Sequence, residues 1–157
     1  VAFFGLSEVD RDGNVNTTNL NGKIAGVGGF PNISANAKHS VFVGFFTAGG
    51  LKCHLENGKL VIDQEGRFDK FVNSCRQLSF NAEQSLAKGN KVTFITERCV
   101  IVRTKEGMVL TEIAPGVDLK TQVLDHIGFD PIIPEGGPAL MDERLFQETW
   151  GHLRDTF

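Results

Sequence analysis

A chain of 157 residues, 41% hydrophobic and 22% charged, has the size and balance of one globular domain with a core of its own. Its net charge is −3 and no cluster of Lys and Arg interrupts it, which excludes the electrostatic footprint of a nucleic-acid binder. No apolar run approaches the roughly 20 residues that span a bilayer and no signal-like segment opens the chain, so a soluble cytoplasmic protein is expected, with neither nucleic acid nor membrane as partner.

In chain order, Ala2 to Val9 is nearly all apolar and reads as a buried strand, and the chain starts inside it without a methionine, as though cut in or just before that strand. Asp12-Gly13-Asn14 is a turn, and Val15 to Thr18 returns as a short strand. The stretch AGVGGFPNI, Ala25 to Ile33, then sets glycines and a proline where a helix over Pro31 to Lys38 would begin. Ser40 to Thr47 is β-branched and aromatic, the composition of a strand buried on both faces, and it runs out into Ala48-Gly49-Gly50.

Leu51 to Leu55 and Lys59 to Asp63 flank Glu56-Asn57-Gly58, the Asn-Gly signal of a type I′ hairpin. Arg76 to Phe80 is extended and leads into a helix over Asn81 to Lys88, capped by Asn81 and closed by Gly89. Lys91 to Thr104 and Met108 to Ala114 read as a long hairpin turning at Lys105-Glu106-Gly107. Asp118 caps a helix expected to reach Ile127 and stop at Gly128, Pro131 to Pro138 is a loop, and Met141 to Arg154 is a terminal helix or tail. The sum is an α/β domain with a mixed, largely parallel open sheet, flanking helices and hairpins, incomplete at its start.

Cys53, Cys75 and Cys99 are odd in number and widely spaced, unlike a disulfide framework or paired zinc ligands, and read as reduced thiols. Cys53 and His54 are neighbours on an extended segment and point to opposite faces, while His39, His126 and His152 show no ligand spacing, so no metal is expected. The glycine stretch has two readings. It is a tight strand-to-helix turn, or a loop cleared of side chains so that backbone N–H groups approach an anion. It fits neither a dinucleotide fingerprint, since Pro31 stands where a third Gly is needed, nor a P-loop, since Gly-Lys-Ser/Thr is absent.

Five stretches, GLSEVDRDGNVN from Gly5, GVGGFPNI from Gly26, FTAGGLK from Phe46, ITERCVIV from Ile95 and EIAPGVDL from Glu112, together resemble the carboxy-terminal part of the family I CoA-transferases, the acetate, propionate and 3-oxoacid group. The resemblance covers residues 1 to about 146, in the order and approximate spacing of that family. It implies residues 1–133 as the C-terminal part of the β domain, with 134–157 as its closing loop and tail. The implied activity is ping-pong transfer of CoA from an acyl-CoA to a carboxylic acid in short-chain acyl-CoA and ketone-body metabolism. A glutamate attacks the thioester and becomes a glutamyl-CoA thioester. Coenzyme A is then a substrate, with no permanently bound cofactor.

By that resemblance Gly28 and Gly29 are backbone donors to the oxyanion, with Gly26 and Phe30 shaping the loop. Lys52 is either a solvated lysine or a contact for a CoA phosphate, and Gly49 and Gly50 shape a strand end. The family's nucleophilic glutamate lies in a Glu-x-Gly motif before the glycine loop and is expected outside this chain, since Glu65-Gly66 and Glu97-Arg98 match other parts of the family pattern. Phe80-Asn81-Ala82 stands where related chains tend to read Phe-Ser-Gly, and Cys99 replaces a smaller residue. The expected partners are acyl-CoA, a carboxylic acid, the upstream half of the enzyme and further copies in a homo-oligomer, recruited by an unpaired edge at Ala2 to Leu6. Isolated, the chain is expected to be inactive. A noncatalytic CoA-binding or interaction domain is the alternative, and a sugar-phosphate isomerase on a similar scaffold is a third. On the long hairpin, Glu97, Ile101 and Arg103 are expected to share a face with Glu112, and Arg103 to pair with Glu112, as structure or near the site.

Overall fold

The apolar stretches around Phe4, Phe42 and Phe94 become neighbouring strands. The computed structural model describes residues 1–20 and 22–150. Its elements are β1 (Ala2–Gly5), β2 (Glu8–Asp10), β3 (Val15–Asn16), β4 (Asn19–Leu20), β5 (Lys23–Ile24), α1 (Phe30–Asn36), β6 (His39–Val43), β7 (Thr47–Ala48), β8 (Lys52–Glu56), β9 (Lys59–Gln64), β10 (Phe68–Asp69), β11 (Phe71–Val72), α2 (Ala82–Ala87), β12 (Lys91–Ile95), β13 (Cys99–Arg103), β14 (Met108–Ile113), α3 (Leu119–Gln122) and β15 (Ala139–Leu140). Leu124–His126 and Glu143–Phe146 are 3₁₀ turns.

The main sheet has the order β1-β6-β12-β13-β14-β15, open at both ends. The pairs β1–β6, β6–β12 and β14–β15 are parallel, and β12–β13 and β13–β14 are antiparallel, so the sheet is mixed and largely parallel as expected. Its register lines up Phe4, Phe42, Phe94, Ile101 and Leu110 on one face, and all but Phe4 are fully buried. The Phe42 ring lies 5.3 Å from Phe4, 5.1 Å from Phe80 and 5.2 Å from Phe94, so one side chain joins three parts of the core. A small sheet, β11-β2-β3, adds Val9, Val15 and Phe71 to the same core. On the opposite face the β8–β9 hairpin closes a smaller core of Leu60, Ala114, Met141 and Phe146.

Local chemistry sets the elements the sequence predicts. Asn57 and Gly58 carry φ of 51° and 73°, the left-handed pair that a type I′ turn requires. Asn81 Oδ1 accepts from the Gln84 amide at 2.8 Å and caps α2, and Gly89, at φ 77°, closes it.

The structure corrects several expected spans. Ala2 to Val9 is two strands: the Leu6 amide donates to Val43 O at 2.9 Å, and the chain then crosses to the small sheet. β1 is an edge rather than a buried strand, with Phe3 72% exposed. Ser40 to Thr47 breaks at Gly44, because Leu6 crosses there and a Cβ on Gly44 would lie 2.9 Å from its Cβ. The strand expected to run through Thr18 stops at Asn16, whose amide oxygen accepts from the Thr18 and Asn19 backbone, and β4 and β5 form a hairpin of their own.

Lys91 to Thr104 is not one strand but a hairpin, because Thr96 Oγ1 accepts from the Arg98 and Cys99 amides and reverses the chain. The helix capped by Asp118 ends at Gln122, where Val123 turns into the core, and only the 3₁₀ turn continues to His126. Gly128 serves close packing rather than a helix stop: a Cβ there would lie 2.7 Å from the Asn73 backbone nitrogen. Ala139–Leu140 joins the main sheet as β15, and Met141 onward forms a 3₁₀ turn rather than a helix, while His152 and Arg154 lie outside the described residues.

Truncating the residue that joins the layers tests this core. Phe42→Ala should lower the unfolding free energy by about 3–5 kcal/mol in urea denaturation, since the rings around it cannot collapse into the space.

Candidate functional site at the carboxyl ends of the parallel strands

Only Ala37 and Lys38 separate α1 from β6, so the helix runs back along the strand and starts at the strand's carboxyl end. Phe30 fixes that placement, its ring 5.0 Å from Phe4 and 6.2 Å from Phe42. The glycine loop therefore stands where open α/β sheets gather ligands, beyond the carboxyl ends of parallel strands. Gly28 has φ 52°, which an L side chain adopts only under strain, and a Cβ at Gly26 or Gly28 would meet nothing within 4 Å. The loop is bare because of its backbone shape and an open front, not because a neighbour presses on it. The Phe30 amide is used within the turn, donating to Val27 O at 3.1 Å. Those of Gly28 and Gly29 donate to no acceptor among the described residues.

The next two parallel strands end in a charged network centred on Arg98, whose side chain is 0% exposed. Its guanidinium donates Nη1 to Glu65 Oε2 at 2.8 Å and to Gln122 O at 2.8 Å, Nη2 to Glu65 Oε1 at 3.1 Å, and Nε to Glu97 Oε1 at 2.7 Å. The Phe46 ring covers the cation, with its centroid 4.9 Å from the guanidinium carbon. Glu97 Oε2 accepts from the Phe46 amide at 2.8 Å, and Glu65 Oε1 accepts from Thr47 Oγ1 at 2.5 Å and the Gly66 amide at 3.0 Å. These contacts pin the segment after β6, the end of β9, the β12–β13 turn and the end of α3 to one point.

Burial by itself would raise the Glu65 carboxyl, but the hydrogen bonds from Arg98 and Thr47, the Arg98 charge and the Gly66 amide outweigh it and hold it at about 2. Burial opposes the Arg98 charge too, and Glu65 and Glu97 together keep it raised. The thiols are quiet: burial pushes Cys99 up to about 12 and also raises Cys75 and Cys53. All three cysteines are free, and no group of three or more His, Cys, Asp or Glu among the described residues is arranged to hold a metal.

The residues singled out from sequence divide. Gly26, Gly28, Gly29 and Phe30 form one loop at the strand ends. Lys52 stands exposed at the root of the β8–β9 hairpin, opposite Gln64, and no contact among the described residues joins it to that loop. Glu97 leaves the strand face on which it was expected, because the Thr96 turn carries it to the strand end. The Arg103–Glu112 pair does not form: Arg103 stands opposite Met108 and donates Nε to Asp12 O at 2.7 Å, while Glu112 stands opposite Val100. Sequence reasoning missed the Arg98 hub; its only signal is a cation in the apolar run ITERCVIV.

Acetate CoA-transferase YdiF of Escherichia coli K12 is 47% identical over 147 residues, which cover 93% of this chain and 27% of that protein. The crystal structure of YdiF from E. coli O157:H7 as a thioester complex with CoA superposes with a TM-score of 0.91 at 45% identity, over 94% of this chain and 28% of that one. The chain belongs with the family I CoA-transferases. Caffeate CoA-transferase of Acetobacterium woodii is 37% identical over 160 residues, 98% of this chain and 30% of that protein. The chain thus spans a little over a quarter of the length of these relatives. No family model matches it.

Removing the hub's cation strands two carboxylates. Arg98→Met should cost about 3–5 kcal/mol of stability. Glu65 titrates lower in the folded than in the unfolded chain, so its contribution is complete above its ordinary value of 4.5 and disappears as pH falls toward about 2. Denaturant midpoints measured down that range should fall more steeply in the parent than in Glu65→Gln.

Proposed function

We propose that this chain is the part of an acyl-CoA:carboxylate CoA-transferase that supplies the oxyanion-binding loop, acting on short-chain acyl-CoA and carboxylic acids in the cytoplasm. The observation that carries the reading is the pair of unengaged amides at Gly28 and Gly29, on a loop with an open front at the strand ends. Attack of a carboxylate on a thioester builds negative charge on the former carbonyl oxygen, and fixed, neutral N–H donors stabilise that charge without competing as nucleophiles. Gly26 leaves the approach clear, and Phe30 anchors the loop on the Phe4 and Phe42 rings.

The attacking glutamate is proposed to come from outside these residues. Glu65 and Glu97, at the ends of β9 and β12, spend their oxygens on Arg98, Thr47 and backbone amides, and Glu65 is held at about 2. A carboxylate so stabilised is a poor nucleophile. The upstream half of the enzyme is the proposed source, and residues 1–133 with the 134–157 tail are the proposed remainder of the β domain. The exposed edge at β1 and the apolar residues Phe3, Val43 and Phe45 beside it support association with that half or with further copies. Coenzyme A enters as substrate only. Lys52, exposed and without an ion pair among the described residues, is retained as a contact for a CoA phosphate.

A noncatalytic CoA-binding domain is the second reading, favoured by the lack of a free carboxylate in the network. Two measurements separate them. CoA exchange between acetyl-CoA and propionate should be absent for the chain alone and appear when the upstream half is added; turnover without that half would overturn the missing nucleophile. Calorimetry should show CoA binding that Gly28→Val weakens about tenfold or more, since a β-branched residue at positive φ reshapes the loop.

A further inference from the structure

The short link after β1 and the segment before β11 enclose a recess of about 280 Å³ that the glycine loop and the Arg98 network leave unused. Leu6, Ala48 and Phe68 give it apolar walls, and Ser7, Glu8, Asp69 and Lys70 complete its lining. Lys70 is half-buried, and its Nζ donates to Leu6 O at 3.1 Å. An ammonium has three N–H donors, so two remain. No carboxylate lies within 4.0 Å of it among the described residues, nor does the Ser7 hydroxyl have a partner there. A half-buried ammonium with no carboxylate in direct contact among the described residues has lost part of its hydration, and an anion placed beside it recovers that cost.

The two acids of the lining, Glu8 and Asp69, each hold a cationic or amide partner of their own. Asp69 Oδ1 pairs with His126 Nδ1 at 3.0 Å. Glu8 Oε2 accepts from Asn16 Nδ2 at 2.8 Å and the Arg76 amide at 3.1 Å, with Arg76 Nε 3.8 Å from its other oxygen. Glu97 acts on Lys70 only through its field and is itself held by Arg98 and the Phe46 amide. Leu6 is two residues beyond Phe4, on which Phe30 of the glycine loop rests, so the recess and the loop share the carboxyl end of β1.

We infer that the Lys70 recess binds the carboxylate of a short-chain acid, the ammonium and the Ser7 hydroxyl taking the oxygens and Leu6, Ala48 and Phe68 the hydrocarbon. The identity of the ligand as an acid rests on the function proposed above; the site itself rests on Lys70 and the recess. Burial lowers the Lys70 ammonium from its ordinary value, Glu97 offsetting part of that, and a bound carboxylate should raise it again.

Titration of the chain with acetate and then propionate, followed by NMR, tests this. Backbone amides of Ser7, Ala48, Lys70 and Phe71 should shift saturably in the millimolar range, and the side-chain titration of Lys70 should move up. Lys70→Met should weaken acetate about tenfold or more, and Lys70→Arg should keep saturable binding. Shifts reproduced by chloride at equal ionic strength, no saturation at the recess, or an unmoved Lys70 titration would each overturn the proposal. The Lys70 titration is read in the unaltered chain, so it decides the matter even if Lys70→Met fails to fold. Loss of acetate binding with CoA binding intact would remove this site and leave the proposed function standing; the reverse result would remove the function and leave the site.

Discussion

A guanidinium buried to zero exposure, with a carboxylate on either side and a phenylalanine ring over it, is the constraint on which the sheet end depends. Arg98 cannot be left unpaired in that position without a cost of several kcal/mol, so the segments that bring Glu65, Glu97, Gln122 O and Phe46 to it must arrive together. Those segments come from distant parts of the chain: the link after β6, the end of β9, the β12–β13 turn and the end of α3. The network ties these four segments to one point and so forms the floor of the sheet end. Its carboxylates spend their oxygens on that cation, on Thr47 and on backbone amides.

The glycine loop is the counterpart of that floor. It is open where the floor is closed, anchored through Phe30, the Ala25 amide and the first turn of α1, and the Gly28 and Gly29 amides have no acceptor among the described residues. The sheet thus sets a locked ion network and an unengaged backbone loop at the same end. The chain shares this frame with CoA-transferases of Escherichia coli and Acetobacterium woodii.

The other face of the sheet follows a different rule. The β8–β9 hairpin covers only its β13–β14 end, over a cavity of about 700 Å³ lined by Leu55, Leu60, Ile95, Val100 and Met141. Toward β1 the same face carries Phe3 and Val43, largely uncovered. An apolar sheet face with an unpaired edge is a surface shaped for another element to cover.

The sequence by itself determined the elements whose cause is local. The Asn57-Gly58 turn, the Asn81 cap, the start of α1 at its glycine and proline, and the hydrophobic strands were legible because each depends on a few neighbouring residues. The family was legible too, through five stretches in order. What only the tertiary structure decided is where long apolar runs break. Leu6 must cross over Gly44, a threonine hydroxyl folds the Thr96 to Cys99 turn without glycine or proline, and Val123 ends a helix by entering the core. Arg98, Glu65, Glu97 and Lys70 escaped a linear reading for the same physical reason: a charge in an apolar run acquires meaning from partners that only folding brings within hydrogen-bonding distance.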